Sequence, residues 1–137
     1  MHMPALSTEG GLALAIGDAC EPAEAPAEAP AAVPYANVAE LPGCERTSSK
    51  VLIRNRETVV ITSARHATKG GRPGTTRGVV SGTAGDRALF RGASSKVYAE
   101  LKRIVTLGQP SAHNGVSSNM PAGLVVVPSQ KKVLIAP

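Results

Sequence analysis

Val51-Leu52-Ile53-Arg54-Asn55-Arg56-Glu57-Thr58-Val59-Val60-Ile61-Thr62 is the stretch whose reading sets the fold class. Two runs of aliphatic and β-branched residues flank a polar segment, Arg54 to Glu57, and that spacing reads as a β-hairpin. Working outward, further strands are expected at Gly78 to Ser81, Arg87 to Arg91, Lys96 to Glu100 and Lys102 to Leu107, with turn signals between them. Leu124-Val125-Val126-Val127 and Val133-Leu134-Ile135 follow as two more, parted by Pro128. Ser94 to Val105 fits two periods: Val97, Leu101, Ile104 and Val105 share a helical face, while Val97, Ala99 and Leu101 alternate as in a strand. The glycines around it favour the strand. Lys69-Gly70-Gly71-Arg72-Pro73-Gly74 is expected to be a loop.

On the N-terminal side, residues 1 to 19 read as one or two short extended pieces punctuated by Gly10, Gly11 and Gly17. Residues 21–32 are rich in Ala and Pro. Pro22, Pro26 and Pro30 recur every four residues, which forbids a continuous helix and leaves an extended path or a linker.

The 137 residues make one domain by length, residues 1–137. Apolar residues make up 42% of the chain, but Ala and Val supply most of them, and Tyr35, Phe90 and Tyr98 are its aromatics. Few side chains can bury a large area, so a narrow, flat or oligomer-supported shape is expected. No stretch approaches the roughly 20 apolar residues of a membrane-spanning helix, and Leu12 to Ile16 lacks the flanks of a signal peptide. A soluble cytoplasmic protein with reduced cysteines is the expectation.

Charge is divided along the chain. Residues 1 to 45 hold seven acids and no Lys or Arg, whereas residues 46 to 137 hold all fifteen bases against Glu57, Asp86 and Glu100. Such a chain can seek nucleic acid, or fold its acidic end onto its basic end or a neighbour. Arg54, Arg56, Arg65, Lys69, Arg72 and Arg77 would make a phosphate-binding cluster, and a small basic nucleic-acid-binding module is one alternative function. Against it, three scattered aromatics give no base-stacking platform.

Chemistry-bearing residues are few: His2, His66, His113, Cys20 and Cys44. No two share a local metal-motif spacing. A Cys–His dyad built from Cys20 or Cys44 with His66 or His113 would make a hydrolase, the second alternative, yet no nucleophile motif surrounds either cysteine. Ser81 lacks the G-x-S-x-G frame.

Gly17-Asp18-Ala19-Cys20, then Val33-Pro34-Tyr35-Ala36-Asn37-Val38-Ala39, Gly78-Val79-Val80-Ser81-Gly82-Thr83 and Pro128-Ser129-Gln130-Lys131-Lys132-Val133-Leu134 together resemble, in order, the landmarks of the PAAR-like proteins that sharpen the tips of contractile injection machines. The resemblance implies a small, mostly β, conical domain of short strands and hairpins, without enzymatic activity. It implies the tip of a type VI secretion-like spike, capping a trimeric β-helical valine-glycine repeat protein for membrane puncture, with effectors as possible cargo. Three sides of one chain would then imitate each other without sequence repeats. The protein would wait in the cytoplasm and leave it, outward or into a target cell, on contraction. The family proper pins its apex with zinc held by three histidines and a cysteine, which makes Cys20, His66 and His113 the candidate ligands here, with Cys44 or else His2 as the fourth. Exposed strand edges at the base would dock the spike by β-addition, and Leu124, Val125, Val126, Val127, Val133, Leu134 and Ile135 are the candidates.

Overall fold

The structure, a computed structural model, describes residues 1–22, 32–70 and 76–137, and among them there is strand but no helix. Eight strands form one curled antiparallel sheet: β2 (Leu12–Pro22), β3 (Val33–Glu40), β6 (Ala64–Arg65), β7 (Lys69–Gly70), β8 (Thr76–Gly78), β9 (Ala88–Phe90), β12 (Pro110–His113) and β13 (Met120–Val127). Their order is β6-β9-β12-β13-β2-β3-β7, with β8 laid against the far end of β2. Six shorter strands pair as three antiparallel ribbons, here called arms. The first joins β1 (Met3–Pro4) to β14 (Leu134–Ile135), the second β4 (Ser48–Ile53) to β5 (Arg56–Thr58), and the third β10 (Tyr98–Ala99) to β11 (Lys102–Arg103).

β2 shows how local sequence sets the sheet. Ala13 and Ala15 point inward and are fully buried, while Ile16 faces solvent. Gly17, at φ +97°, sits at a register shift between Ile16 and Asp18. Strand side chains alternate with a period of two, so this one extra residue reverses the faces and turns Asp18 and Cys20 inward.

Where each arm meets the body, the three chain segments close a triangle. The N–H of Leu6 donates to the Val105 carbonyl, that of Val105 to Val59, and that of Val59 to Leu6, each at 3.0 Å. Residues one before and one after each corner pair as single bridges: Ala5 with Thr106, Val60 with Ile104, Ser7 with Thr58. Two residues out the cycle repeats, Thr8 N to Glu57 O, Ile61 N to Arg103 O and Leu107 N to Pro4 O, at 2.9–3.0 Å. The triangle divides the apolar interior. Leu6, Val59 and Val105 pack toward Leu41, Cys44, Phe90 and Val125 under the large sheet. Ala5, Val60 and Ile104 pack with Ile53 and Ala99 among the arms. Two shallow clusters replace one deep core, as expected of a chain rich in Ala and Val.

The mostly β reading holds, as does the strand choice at Ser94 to Val105. Glu100 and Leu101 have φ of 49° and 66°, which breaks any helix there and makes a two-residue hairpin turn. The turn of the second arm is likewise two residues, Arg54-Asn55, rather than four. The strand expected at Gly78 to Ser81 ends at Gly78, because the chain turns back through Gly82, whose N–H bonds the Gly78 carbonyl. Lys69 and Gly70, expected in a loop, pair with Val38 and Asn37; the rest of that loop, residues 71–75, and most of the Ala/Pro-rich segment, 23–31, lie outside the described residues.

Candidate functional site

Two places hold more order than a fold alone requires. They are the base formed by the arms and a buried polar knot toward the other end of β2.

At the base, the three arms superimpose in register on the triangle. Two residues before each corner stand Pro4, Glu57 and Arg103, facing Leu134, Leu52 and Tyr98; three before stand Met3, Arg56 and Lys102, facing Ile135, Ile53 and Ala99. Ile53, Ala99 and Ile135 all turn into the shared apolar cluster. A buried side-chain oxygen then accepts the N–H of the valine three residues on: Ser48 for Val51 at 3.4 Å, Ser94 for Val97 at 3.0 Å and Gln130 for Val133 at 2.7 Å. Each closes a short local ring of the kind that fixes an irregular strand entry. The sequence echoes this, with Ser48-Ser49-Lys50-Val51, Ser94-Ser95-Lys96-Val97 and Gln130-Lys131-Lys132-Val133 in equivalent places. The three sides therefore do carry a repeat, contrary to expectation. Glu100 links two arms, accepting the Ser48 hydroxyl at 2.5 Å and the Lys50 N–H at 3.4 Å. The Ser48 hydroxyl above all, then the Lys50 N–H, holds its carboxyl below the usual range.

At the knot, Asp18 is a hub. Its carboxylate accepts Nδ2 of Asn119 at 2.5 Å, of Asn114 at 3.2 Å and of Asn37 at 3.3 Å. Each asparagine is held at its other end. Asn119 Oδ1 accepts the N–H of Val80 and Ser81, Asn114 Oδ1 accepts the N–H of Asp86, and Asn37 Oδ1 faces Nδ1 of His113 at 2.8 Å. Those outer bonds fix the orientation of all three amides, so their N–H groups must face Asp18. Three amides thus hydrogen-bond a buried carboxylate and tie β2, β3, the 80–86 loop and the β12–β13 connection together. Gly78 is packed against Asn119, where a Cβ would lie 2.4 Å from its side chain, so that approach requires glycine.

His113 extends the knot. Nδ1 donates to Asn37 Oδ1 and Nε2 accepts the Ser111 hydroxyl, both at 2.8 Å. Burial pushes its pKa down to about 4, against the opposing pull of Asp18, so the ring is neutral and donates once and accepts once. Ser111, His113 and Asn37 are hydrogen-bonded in the order of a serine–histidine–amide triad, but all are fully buried. Gly123 closes the hydroxyl side, a Cβ there falling 2.6 Å from Ser111 Oγ and 2.9 Å from Nε2. No substrate carbonyl can reach the serine, so this arrangement holds structure together.

The sequence-derived metal set is dispersed. Cys20 lies in the knot, where burial and then the adjacent Asp18 raise its thiol to about 11. Cys44 sits in the upper apolar cluster, its thiol raised to about 12 by burial. His66 is exposed and pairs with Glu45 at 2.5 Å, and His2 is exposed at the base beside the first arm. Both cysteines are free. Among the described residues no three His, Cys, Asp or Glu side chains converge as ligands. Zinc binding needs thiolates and a free ring nitrogen. Both nitrogens of His113 are already engaged, and Cys20, His66, His113 and Cys44 do not gather as one site in this geometry. A polar neighbour of the Cys20 thiol is the Asn114 amide, at 3.9 Å.

The docking candidates divide. Leu124 to Val127 belong to β13, where Leu124 lies between β12 and β2 and Val125 bonds Gly108 and Gln109 on one side and pairs with Ala13 on the other, so these two offer no free edge for β-addition, whereas Val127 pairs with Leu12 on the β2 side. Val133 to Ile135 belong to the first arm, which pairs on one side only. The candidate phosphate cluster is spread out too. Arg54 and Arg56 lie on the second arm, Arg65, Lys69 and Arg77 on three strands of the large sheet, and Arg72 outside the described residues. Arg54 meets Glu9 at 3.2 Å and Lys69 meets Glu40 at 3.0 Å. These pairs, like Glu45 with His66, join the acidic part of the chain to the basic part.

The asparagines were missed by sequence reading because Asn is ordinarily a turn or surface residue, and only convergence on Asp18 gives these three a common role. The arm repeat had a signal, the two Ser-Ser-Lys-Val tetrapeptides. A family model described as "Toxin PAAR-like domain" matches residues 11–122, which takes in the whole knot and the second and third arms. Comparison with curated proteins and with solved structures returns no match.

Proposed function

This chain belongs to the Toxin PAAR-like domain family, and from that membership we propose that it is the non-enzymatic tip of a contractile, type VI-like spike, seated on a trimeric β-helical spike protein. One observation carries the reading: the closed hydrogen-bonded triangle of Leu6, Val59 and Val105, with its three registered arms. A single chain gains nothing for its own folding from making three of its sides alike. It does gain complementarity to a partner with three identical faces, because each arm can meet the same surface.

The knot supports the mechanical part of the proposal. A tip under axial load has little volume for a core, and its chain crossings must resist separation. Asp18, three asparagines and the strand ladder distribute such load over many bonds. Effectors would ride as bound cargo, and the protein would stay in the cytoplasm until contraction carried it outward. The test is stoichiometry. Mixed with the purified trimeric spike protein of the same system, the chain should form a complex of one tip per trimer by native mass spectrometry. Three tips per trimer, or no complex at micromolar concentration, would overturn the reading.

A further inference from the structure

The registered arms leave one apolar side chain exposed at the same position three times. Leu52 is 52% exposed, Tyr98 55% and Leu134 50%, and each is cross-strand from the residue two before its triangle corner. Single exposed apolar residues are ordinary. Three at equivalent positions with near-equal exposure are not, because nothing in the local pairing demands them: the inward neighbours Ile53, Ala99 and Ile135 already fill the cluster. Two residues before each knob stands an exposed lysine, Lys50, Lys96 or Lys132.

We infer that Leu52, Tyr98 and Leu134 are three equivalent docking knobs, and that the partner they fit presents three identical apolar depressions, each with a carboxylate at its rim. The inference rests on the spike-tip reading and adds to it the residues and the chemistry of the partner's end. Charge complementarity argues for the rim, since each knob brings its own cation and desolvated opposite charges steer and orient docking. A few side chains that fill desolvated pockets near the centre of an interface carry most of its affinity. The pocket must accept both Leu and Tyr, so it is apolar in its depth and open at its end.

The experiment measures affinity for the trimeric spike protein by calorimetry, with each variant's unfolding midpoint as a check on folding. Leu52→Asp, Tyr98→Asp and Leu134→Asp should each weaken binding about tenfold or more, and pairs of them should multiply. Tyr98→Leu should bind within about threefold of wild type, and Val116→Asp, far from the arms, should bind as wild type. Wild-type binding with the three Asp variants unaffected, or with one of them carrying the whole loss, would overturn the knobs and leave the tip reading in place. Failure of wild type to bind would overturn the tip reading and the knobs with it.

Discussion

His113 titrates where the fold is least able to accept a proton. Its ring stays neutral in the folded chain down to about pH 4, whereas in the unfolded chain it binds a proton near 6.5. Between these values the unfolded state holds more protons, so stability rises with pH through that window and is lost as pH falls. The full effect is on the order of 3 kcal/mol. Urea unfolding at pH 7 and pH 4.5 should show a drop of most of that size, and His113→Gln should be less stable at pH 7 but flatter between the two. An equal slope in both proteins would mean that the ring is not the titrating group. This role was not legible in the sequence. The family resemblance made His113 a candidate ligand, and nothing in the neighbouring residues announced that Asn37, far earlier in the chain, would take one nitrogen and Ser111 the other.

The hairpins show what short segments do reveal. Val51-Leu52-Ile53 declared a strand because β-branched residues fit a pleat, and Ser94 to Val105 was decided by its glycine-rich surroundings, whereas of Thr58-Val59-Val60-Ile61-Thr62 only Thr58 lies in a strand, β5, since Val59 and Val60 leave it for the triangle and Ile61 and Thr62 turn. Turn lengths and strand β3 were less visible. Pro34 and the neighbouring alanines lack strand propensity, and β3 forms because its ladder with β2 runs from Leu12↔Glu40 to Cys20↔Val33. The third arm turns through Glu100 and Leu101 in the left-handed region without a glycine, at a cost of about 1 kcal/mol per residue. Leu101 is 95% exposed. Leu101→Gly should therefore raise stability by about 0.5–1 kcal/mol, seen as a higher melting temperature, and an unchanged or lower value would mean that the leucine packs in a way the exposed position does not show.

At the scale of the molecule, two devices sit at opposite ends of β2, a triangle built for symmetry and a knot built for cohesion. The family resemblance pointed to a metal at the apex, and composition gave no means of choosing between a metal and hydrogen bonds. In this geometry the side chains that meet there are Asp18 and its three asparagines, joined by hydrogen bonds. Protein purified without chelators should accordingly carry well under one zinc per chain by elemental analysis, and a chelator should leave its melting temperature unmoved. One equivalent of zinc, lost in both Cys20→Ala and His113→Ala, would show that the knot opens to form a metal site. The likeness of the arms has a further consequence. On a partner with an exact threefold axis, this chain has three seatings related by a third of a turn, told apart by differences such as Tyr98 against Leu52 and Leu134, or Pro4, Glu57 and Arg103 across from them. Equal seatings make encounter three times as frequent, but they leave azimuth undecided: a lopsided cargo on one flank would face one of three bearings, drawn anew each time a tip is loaded.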